Sequence, residues 1–215
     1  MPIANEKEVF SREYYNHWTE SYETCVRLKF WFWRLLRKTW GKIVLEDHAS
    51  VYDFGCGTGN LLQHFHEQHP NAVLYGSDIS EGMLEKARDK FSDIEDKSVE
   101  FKIADMNERF PWDDGMFDYV ISTYCFHHTK DPVKTLKEVF RVLRPGGKLY
   151  LADLCYLPMI NGLVNRIYPR VLSWDGHIEF LNRRKVRNAL NEAGFKNITQ
   201  KRISLYAIFS SATKA

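Results

Sequence analysis

One stretch of ten residues constrains the fold of this chain more than any other. Residues 51–60 read Val-Tyr-Asp-Phe-Gly-Cys-Gly-Thr-Gly-Asn, an apolar run typical of a buried strand that breaks into three alternating glycines. Glycine at every second position lets the main chain turn tightly and approach a ligand where any Cβ would collide. A helix that starts here presents unpaired backbone N–H groups. The stretch therefore predicts a strand, loop and helix that grip a small cofactor.

The glycine spacing separates two kinds of cofactor. Dinucleotide-binding loops place their glycines as G-x-G-x-x-G at a strand-to-helix turn. Gly55 and Gly57 fit that pattern, but the third glycine comes one position early, at Gly59, and Asn60 fills the expected place. Asp53 closes the strand just before the loop, where a carboxylate repels a pyrophosphate and attracts a cation. The pattern disfavours NAD and favours a cationic ligand.

Composition and charge set broad limits. With 215 residues, 44% of them hydrophobic, the chain can bury the core of one large domain without disulfides. Its net charge of +2 gives no reason to expect a nucleic-acid partner, which requires a concentrated basic face. The four cysteines form no C-x-x-C pair and the N-terminal residues are polar. No uncharged apolar stretch reaches the about 18 residues needed to span a bilayer. We therefore expect a cytoplasmic protein.

Strand and helix patterns alternate along the chain. The alternation predicts an α/β protein with a doubly wound, mostly parallel seven-stranded sheet. Pro145-Gly146-Gly147 marks the start of the fifth strand, since neither residue type continues a helix well. The predicted helices are Leu61–His69, Glu81–Phe91, Pro132–Leu143 and Arg184–Ala193, and the strands after the first are Ala72–Ser77, Val99–Ile103, Tyr119–Thr123, Lys148–Ala152, Ile198–Arg202 and Tyr206–Ala212.

Motifs spread over much of the chain are similar to those of one family. In order, they are Asp-Phe-Gly-Cys-Gly-Thr-Gly at 53–59, Asp-Tyr-Val-Ile-Ser at 118–122, Phe-His-His at 126–128, Asp-Pro at 131–132 and Arg-Val-Leu-Arg-Pro-Gly-Gly at 141–147. Together they resemble class I S-adenosylmethionine-dependent methyltransferases, and among these the subfamily that includes the ubiquinone and menaquinone biosynthesis enzymes. The resemblance covers about residues 14–153 and the turn at 193–195. It implies a Rossmann-like methyltransferase fold, S-adenosyl-L-methionine as methyl donor, S-adenosyl-L-homocysteine as product and no metal.

The resemblance also implies how the single domain, 1–215, is organised. An N-terminal helical cap precedes the cofactor-binding core, a substrate roof follows it, and a helix with two strands closes the sheet. These parts are expected at 1–47, 48–153, 154–182 and 183–215.

The expected cofactor residues follow the strand ends. Asp78, at the end of the second strand, is placed to accept both ribose hydroxyls, and Ile79 can pack on one adenine face. Asp105 accepts a hydrogen bond from the adenine amino group in such enzymes, unless it only caps its loop. Tyr22, in an N-terminal aromatic motif, covers the cofactor unless it is a buried structural tyrosine. The full set is Tyr22, Asp53, Gly55, Cys56, Gly57, Gly59, Asn60, Asp78, Ile79, Met83, Ala104, Asp105, Met106 and Ser122.

Residues for the acceptor are expected beyond the fourth and fifth strands. At most one of His127 and His128 faces the acceptor, because consecutive residues point differently, and His127 is the candidate base. Tyr22 is the second catalytic candidate. The expected acceptor residues are Tyr15, Tyr124, His127, Tyr156, Trp174 and His177.

Two segments leave alternatives open. The apolar and aromatic stretch 155–182 either roofs an apolar or aromatic acceptor or simply completes the core. Residues 26–45 form an amphipathic helix with basic residues on one face, which either packs on the sheet or lies on a membrane surface and gathers a lipid-soluble substrate.

Other chemistries fit the sequence less well. His64, His66 and His69 diverge on a helix and indicate a solvated face instead of a metal site. Enzymes that methylate nucleobases or glutamine carry an Asn/Asp-Pro-Pro-Tyr motif where this chain has Ser122-Thr123-Tyr124-Cys125. Metal-dependent catechol methylation needs a carboxylate at this place, and none is present. Arsenic methylation uses several positioned cysteines, and the four cysteines here lack that arrangement.

We therefore expect direct displacement, in which a small-molecule acceptor attacks the cofactor methyl in line with the departing sulfur. The protein would act as a monomer or homodimer. The alternative is a module that binds the cofactor without turnover and serves as a partner or membrane-surface protein.

Overall fold

The computed structural model describes residues 30–92, 98–156, 158–171 and 178–215. The helices are α1 (Phe30–Trp40), α2 (Asn60–Gln68), α3 (Glu81–Lys90), α4 (Pro132–Val142), α5 (Pro158–Val171) and α6 (Arg183–Glu192), with a short 3-10 helix at Phe126–His128. The strands are β1 (Ser50–Phe54), β2 (Val73–Asp78), β3 (Val99–Ile103), β4 (Phe117–Thr123), β5 (Leu143–Leu154), β6 (Lys196–Ser204) and β7 (Ala207–Thr213).

The strands form one seven-stranded sheet in the order β3-β2-β1-β4-β5-β7-β6. Strands β1 to β5 pair in parallel, and β7 runs antiparallel to both β5 and β6. The predicted doubly wound, mostly parallel sheet is therefore confirmed. The strand order reverses at β1, which pairs with both β2 and β4, and such a switch point is where open α/β sheets bind ligands beyond the carboxyl ends of their strands.

Alternation along the central strands fills a core on each face of the sheet. In β4, Tyr119 and Ile121 belong to one buried cluster, and Val120 between them belongs to the other. Helices cover both faces, so a central parallel strand such as β4 is buried on both sides. Helix α1 joins the first cluster through Leu35, Leu36 and Trp40.

The packing of α1 favours one of the two alternatives for residues 26–45. Leu35, Leu36 and Trp40 are at most 7% exposed, whereas Arg34, Arg37 and Lys38 face outward. An apolar face that is buried in the core cannot also enter a lipid surface, which supports a helix packed on the sheet with a basic edge. None of the described helices is long and apolar enough to cross a bilayer.

The Pro-Gly-Gly segment differs from its predicted place. Strand β5 begins at Leu143, directly after α4, so Pro145-Gly146-Gly147 lies inside the strand instead of at its start. The register between β4 and β5 shifts in this region, and a Cβ at Gly147 would lie 2.9 Å from the carbonyl oxygen of Arg144. Glycine is thus required here because the backbone of the strand comes close to itself at Arg144. The strand takes this path because it pairs with β4, a contact between distant residues that local composition does not show.

Arg141 ties the loop before β4 to helix α4. Its guanidinium donates to the carbonyl oxygens of Phe110 and Trp112 at 3.1 and 2.9 Å, and to carboxylates of Glu138 and Asp114. The side chain is 15% exposed, so these bonds are shielded from water. This use of the fork geometry explains why the Arg141 position of the motif is an arginine.

We expect Arg141→Lys to lower the free energy of unfolding by about 2 kcal/mol, because one ammonium cannot reach both carbonyls and both carboxylates. Urea unfolding measures the change. Arg88→Lys is the control, since Arg88 makes an exposed ion pair with Glu81, and its effect should stay within about 0.5 kcal/mol. Equal losses in the two variants would contradict the role given to Arg141.

Candidate cofactor and acceptor site

The glycine loop forms a tight turn between β1 and α2. Gly55, Gly57 and Gly59 have φ of 71°, 54° and 73°, in the left-handed region that favours glycine. The backbone N–H groups of Gly55 and Cys56 donate to the carbonyl oxygen of Ser77 at 2.8 and 3.0 Å, which fixes the loop on the end of β2. Gly59 is the N-cap of α2. The predicted strand, loop and helix are therefore confirmed.

Gly55 and Gly57 have different surroundings. A Cβ at Gly55 would lie 2.2 Å from Sγ of Cys125 and 3.6 Å from Cε of Met106, so this glycine lets the loops after β1, β3 and β4 meet. A Cβ at Gly57 would have no described atom within 4 Å. The first glycine is needed for packing within the protein, whereas the second faces a space that a Cβ would partly fill.

Asp78 connects the glycine loop to the start of α3. Its Oδ2 accepts the backbone N–H of Gly57 at 2.9 Å and its Oδ1 accepts that of Ser80 at 3.0 Å. Burial raises the pKa of this carboxyl, and the backbone N–H groups of Ser80, Gly57 and Ile79 oppose the shift. Each carboxylate oxygen has a second lone pair, so Asp78 can still accept ligand hydroxyls.

Two buried oxygen atoms near the switch point lack partners among the described residues. They are Oδ1 of Asp53, at the end of β1, and Oγ of Ser122, near the end of β4. Burial, and after it the charge of Asp78, raises the pKa of Asp53 well above its ordinary value. A nearby cation would favour the ionised form of Asp53. Orphaned polar atoms of this kind fit a ligand that brings polar and positive groups.

The residues expected around adenine lie together at the ends of β2 and β3. The backbone N–H of Ala104 donates to the carbonyl oxygen of Asp78 at 3.0 Å. Oδ1 of Asp105 accepts the backbone and side-chain N–H groups of Asn107, both at 2.8 Å. The loop-capping alternative for Asp105 is thus present, while its other carboxylate oxygen remains able to accept a hydrogen bond. Ile79 follows Asp78, Met83 is buried in α3, and Met106 contributes its carbonyl oxygen to Thr135.

Asn60 and Cys56 complete the loop. The amide oxygen of Asn60 accepts from Nζ of Lys90 at 2.8 Å, and the same ammonium donates to the carbonyl oxygen of Thr58 at 2.7 Å. Lys90 of α3 therefore holds the loop in place through its hydrogen bonds to Thr58 and Asn60. Cys56 is a buried free thiol whose pKa is raised by burial.

Tyr124, directly after β4, has an unusual backbone. Its φ of 58° is uncommon for a residue with a bulky side chain and indicates local strain. Its hydroxyl shares a hydrogen bond of 2.8 Å with Oγ1 of Thr39 in α1. The loop that follows β4 is thus attached to the helix that precedes the core.

His127 lies in the 3-10 helix after β4, within a group of aromatic residues. Its ring centroid is 5.3 Å from that of Phe180, which is in turn 5.3 Å from the ring of Tyr156. Asp153, at the end of β5, accepts both the backbone N–H and the ring Nδ1 of His127. The predicted residues His127 and Tyr156 therefore share one cluster with Phe180 and Asp153.

Four expected site residues, Tyr15, Tyr22, Trp174 and His177, lie outside the described residues. Sequence reasoning missed Thr39, Asp153 and Phe180. Asp153 could have been identified from the sequence, because it is an acidic residue near the end of a parallel strand, like Asp53 and Asp78. Thr39 and Phe180 reach the site only through tertiary packing.

The two histidines of α2, His64 and His66, and His69 at its C-cap are half-buried, and the prediction of a solvated face was wrong. Their rings lie 5.3 Å from Trp40 for His64, 5.9 Å from Phe91 for His66 and 6.4 Å from Phe65 for His69. These contacts with aromatic rings explain why the three imidazole rings are half-buried. Within the described ranges, no group of three His, Cys, Asp or Glu side chains could hold a metal ion.

Sequence comparison relates the chain to methyltransferases. Residues 51–147 match the family model described as a methyltransferase domain. A ubiquinone/menaquinone biosynthesis C-methyltransferase of Desulfotalea psychrophila is 33% identical over 105 residues, which cover 49% of this chain and 41% of that protein. A demethylmenaquinone methyltransferase of Lactococcus lactis is 32% identical over 132 residues, which cover 60% of this chain and 52% of that protein. The chain thus spans about half the length of these curated relatives.

Structural comparison agrees at the level of the fold. The putative methyltransferase solved with the Haloferax volcanii Trm112 methyltransferase activator has a TM-score of 0.77 and 20% identity, and the match covers 93% of this chain and 97% of that one. The glycine loop, the acidic strand ends and the motifs after β4 lie in the matched domain or directly beside it. The chain thus contains a methyltransferase domain and resembles the class I S-adenosylmethionine-dependent methyltransferases, among them the subfamily of ubiquinone and menaquinone biosynthesis enzymes.

Proposed function

We propose that the chain transfers a methyl group from S-adenosyl-L-methionine to a small apolar or aromatic acceptor by direct displacement. The observation that carries this proposal is the meeting of the open side of Gly57, the Asp78 carboxylate and the orphaned oxygen of Asp53 at the switch point of the sheet. These groups fit a ligand with ribose hydroxyls and a positive charge.

Each part of the cofactor has candidate partners in the chain. Asp78 would hold the ribose, Ile79, Met83, Ala104, Asp105 and Met106 would surround the adenine, and Asp53, the glycine loop and Ser122 would face the charged end. The bound cofactor supplies an activated methyl group on a positively charged sulfur. The chain's own residues contribute orientation and the exclusion of water, and correct alignment of two reactants is worth up to about 7–11 kcal/mol.

An aromatic or apolar acceptor is supported by the cluster around His127. Phe180 and Tyr156 present aromatic rings on that side, and Asn161 and Asn165 of helix α5, in the predicted substrate roof, donate to the carbonyl oxygen of Phe180. Two relatives are named as a ubiquinone/menaquinone biosynthesis C-methyltransferase and a demethylmenaquinone methyltransferase, and the compounds in these names are quinones. We propose a reduced quinone or similar phenolic ring as the acceptor class. The described cysteines are free thiols, which suits the reducing cytoplasm.

We expect labelled methyl groups to move from S-adenosyl-L-methionine to 1,4-dihydroxynaphthalene, a phenolic probe, when both are incubated with the protein. Calorimetry with S-adenosyl-L-homocysteine measures cofactor binding separately. Absence of binding would overturn the cofactor site. Binding without label in the probe, in lipid extract or in protein would instead indicate a module without turnover, an alternative that the family relationship does not favour.

A further inference from the structure

Asp153 holds His127 at two points. Its Oδ2 accepts the backbone N–H of His127 at 2.6 Å, and its Oδ1 lies 2.8 Å from the ring Nδ1. The side chains of His127 and Asp153 are 12% and 10% exposed, so the contact is shielded from water. A carboxylate that accepts hydrogen bonds from both the backbone and the ring leaves the imidazole little freedom to rotate.

The two contacts determine which ring nitrogen carries the proton. A carboxylate only accepts hydrogen bonds, so a neutral His127 must place its proton on Nδ1 and donate to Asp153. The lone pair is then on Nε2, which makes no hydrogen bond to a described residue. In this tautomer Nε2 can accept a proton from a ligand.

The segment 178–180 fixes the other side of His127. The backbone N–H of Glu179 donates to the carbonyl oxygen of His127 at 2.9 Å, and the Phe180 ring packs beside the imidazole. Asn161 and Asn165 of α5 donate to the carbonyl oxygen of Phe180 at 2.9 and 3.0 Å. The imidazole is therefore held between the end of β5 and the segment 178–180, which α5 supports.

We propose that Asp153 is a positioning residue that holds His127 as a general base for an acceptor hydroxyl. This inference rests on the proposed function and narrows its acceptor class to compounds that must lose a proton. Nε2 takes the hydroxyl proton, and the electron pair left on the acceptor forms the new bond to the methyl carbon. The bond from that carbon to sulfur breaks with its electron pair remaining on sulfur. If a conjugated ring carbon is methylated, that carbon then releases its own proton to water and the ring recovers its aromatic character.

Asp153→Ala tests the proposal because it removes the acceptor that holds the proton on Nδ1. Asp153→Asn is not suitable, since Oδ1 of Asp153 also accepts the backbone N–H of Leu154 at 2.6 Å and an amide would turn its NH₂ group toward one of the two backbone donors in either orientation. Without the carboxylate, the neutral ring should carry its proton mainly on Nε2, which a free imidazole prefers. We expect ¹⁵N NMR of the cofactor-free protein with a neutral ring to show protonated Nδ1 in the parent and mainly protonated Nε2 in the variant.

Activity gives the second readout. With 1,4-dihydroxynaphthalene, kcat of Asp153→Ala should fall about 100-fold, while KM and the affinity for S-adenosyl-L-homocysteine change less than about twofold. His127→Gln should lose as much, and the double variant no more than either single one. Asp131→Ala is the matched control, since Asp131 is an exposed carboxylate that caps α4, and its loss should lower stability but leave kcat within about twofold.

Three results would overturn the inference: a parent ring protonated on Nε2, an unchanged tautomer in Asp153→Ala, or an unchanged kcat in that variant. The parent tautomer is measured without any variant, so a variant that fails to fold does not protect the proposal. Failure of the parent protein to bind S-adenosyl-L-homocysteine would instead count against the proposed function.

Discussion

Gly57→Ala is expected to weaken S-adenosyl-L-homocysteine binding by about 1,000-fold and to lower the free energy of unfolding by only about 1 kcal/mol. The φ of 54° strains an alanine at this position and so lowers stability. The loss stays small because the added Cβ would meet no described atom within 4 Å. The loss of binding follows because the Cβ would occupy space that the cofactor needs to approach the loop. Calorimetry measures the loss of S-adenosyl-L-homocysteine binding, and urea unfolding without ligand measures the loss of stability.

Gly55→Ala is the matched comparison, two residues earlier in the same loop. Its Cβ would lie 2.2 Å from Sγ of Cys125, so the protein itself must move, and we expect a loss of about 3 kcal/mol in the free energy of unfolding. Cys125→Ala removes the closest contact and should restore part of that stability. If Gly57→Ala were as unstable as Gly55→Ala, or bound ligand normally, the proposed role of Gly57 would be wrong.

The cofactor half of the site could be predicted because its signals are local. Three glycines and an acidic residue stand within the ten residues 51–60, and parallel topology brings Asp78 to the same edge of the sheet. The Pro-Gly-Gly segment shows the limit of local signals. Its residues disfavour a helix, as expected, but pairing between β4 and β5 extends the strand back to Leu143.

The acceptor half could be predicted only in part because its contacts join distant residues. The partners Tyr124 and Thr39 are 85 positions apart, and Asp153 is 26 positions from His127. A histidine in a loop indicates possible chemistry, but its tautomer depends on a neighbour that the fold brings to it. The half-buried histidines of α2 show the same effect, since Trp40 and Phe91 come from other helices or helix ends.

Asp78→Ala is the second variant for which we expect a large effect, a loss of about 1,000-fold in affinity for S-adenosyl-L-homocysteine. Hydrogen bonds to a charged group are worth about 1.5–3 kcal/mol each, and two ribose hydroxyls would lose such a partner. The variant also leaves the N–H groups of Gly57 and Ser80 without their acceptor, so the free energy of unfolding should fall by about 2 kcal/mol. Exposed Asp113 provides the control, because Asp113→Ala should change neither quantity.

A ligand that lacks one ribose hydroxyl separates direct recognition by Asp78 from a disturbed loop. The parent protein should bind S-adenosyl-L-homocysteine about 10- to 100-fold more tightly than its 2′-deoxy analogue, because the analogue makes one hydrogen bond fewer to the charged carboxylate. In Asp78→Ala that preference should disappear, since the group that reads the hydroxyl is gone. Loss of affinity with the preference intact would mean that Asp78 only shapes the glycine loop through Gly57. Loss of both would mean that the same carboxylate holds the loop and reads the ribose, which couples correct folding of the loop to recognition of the methyl donor.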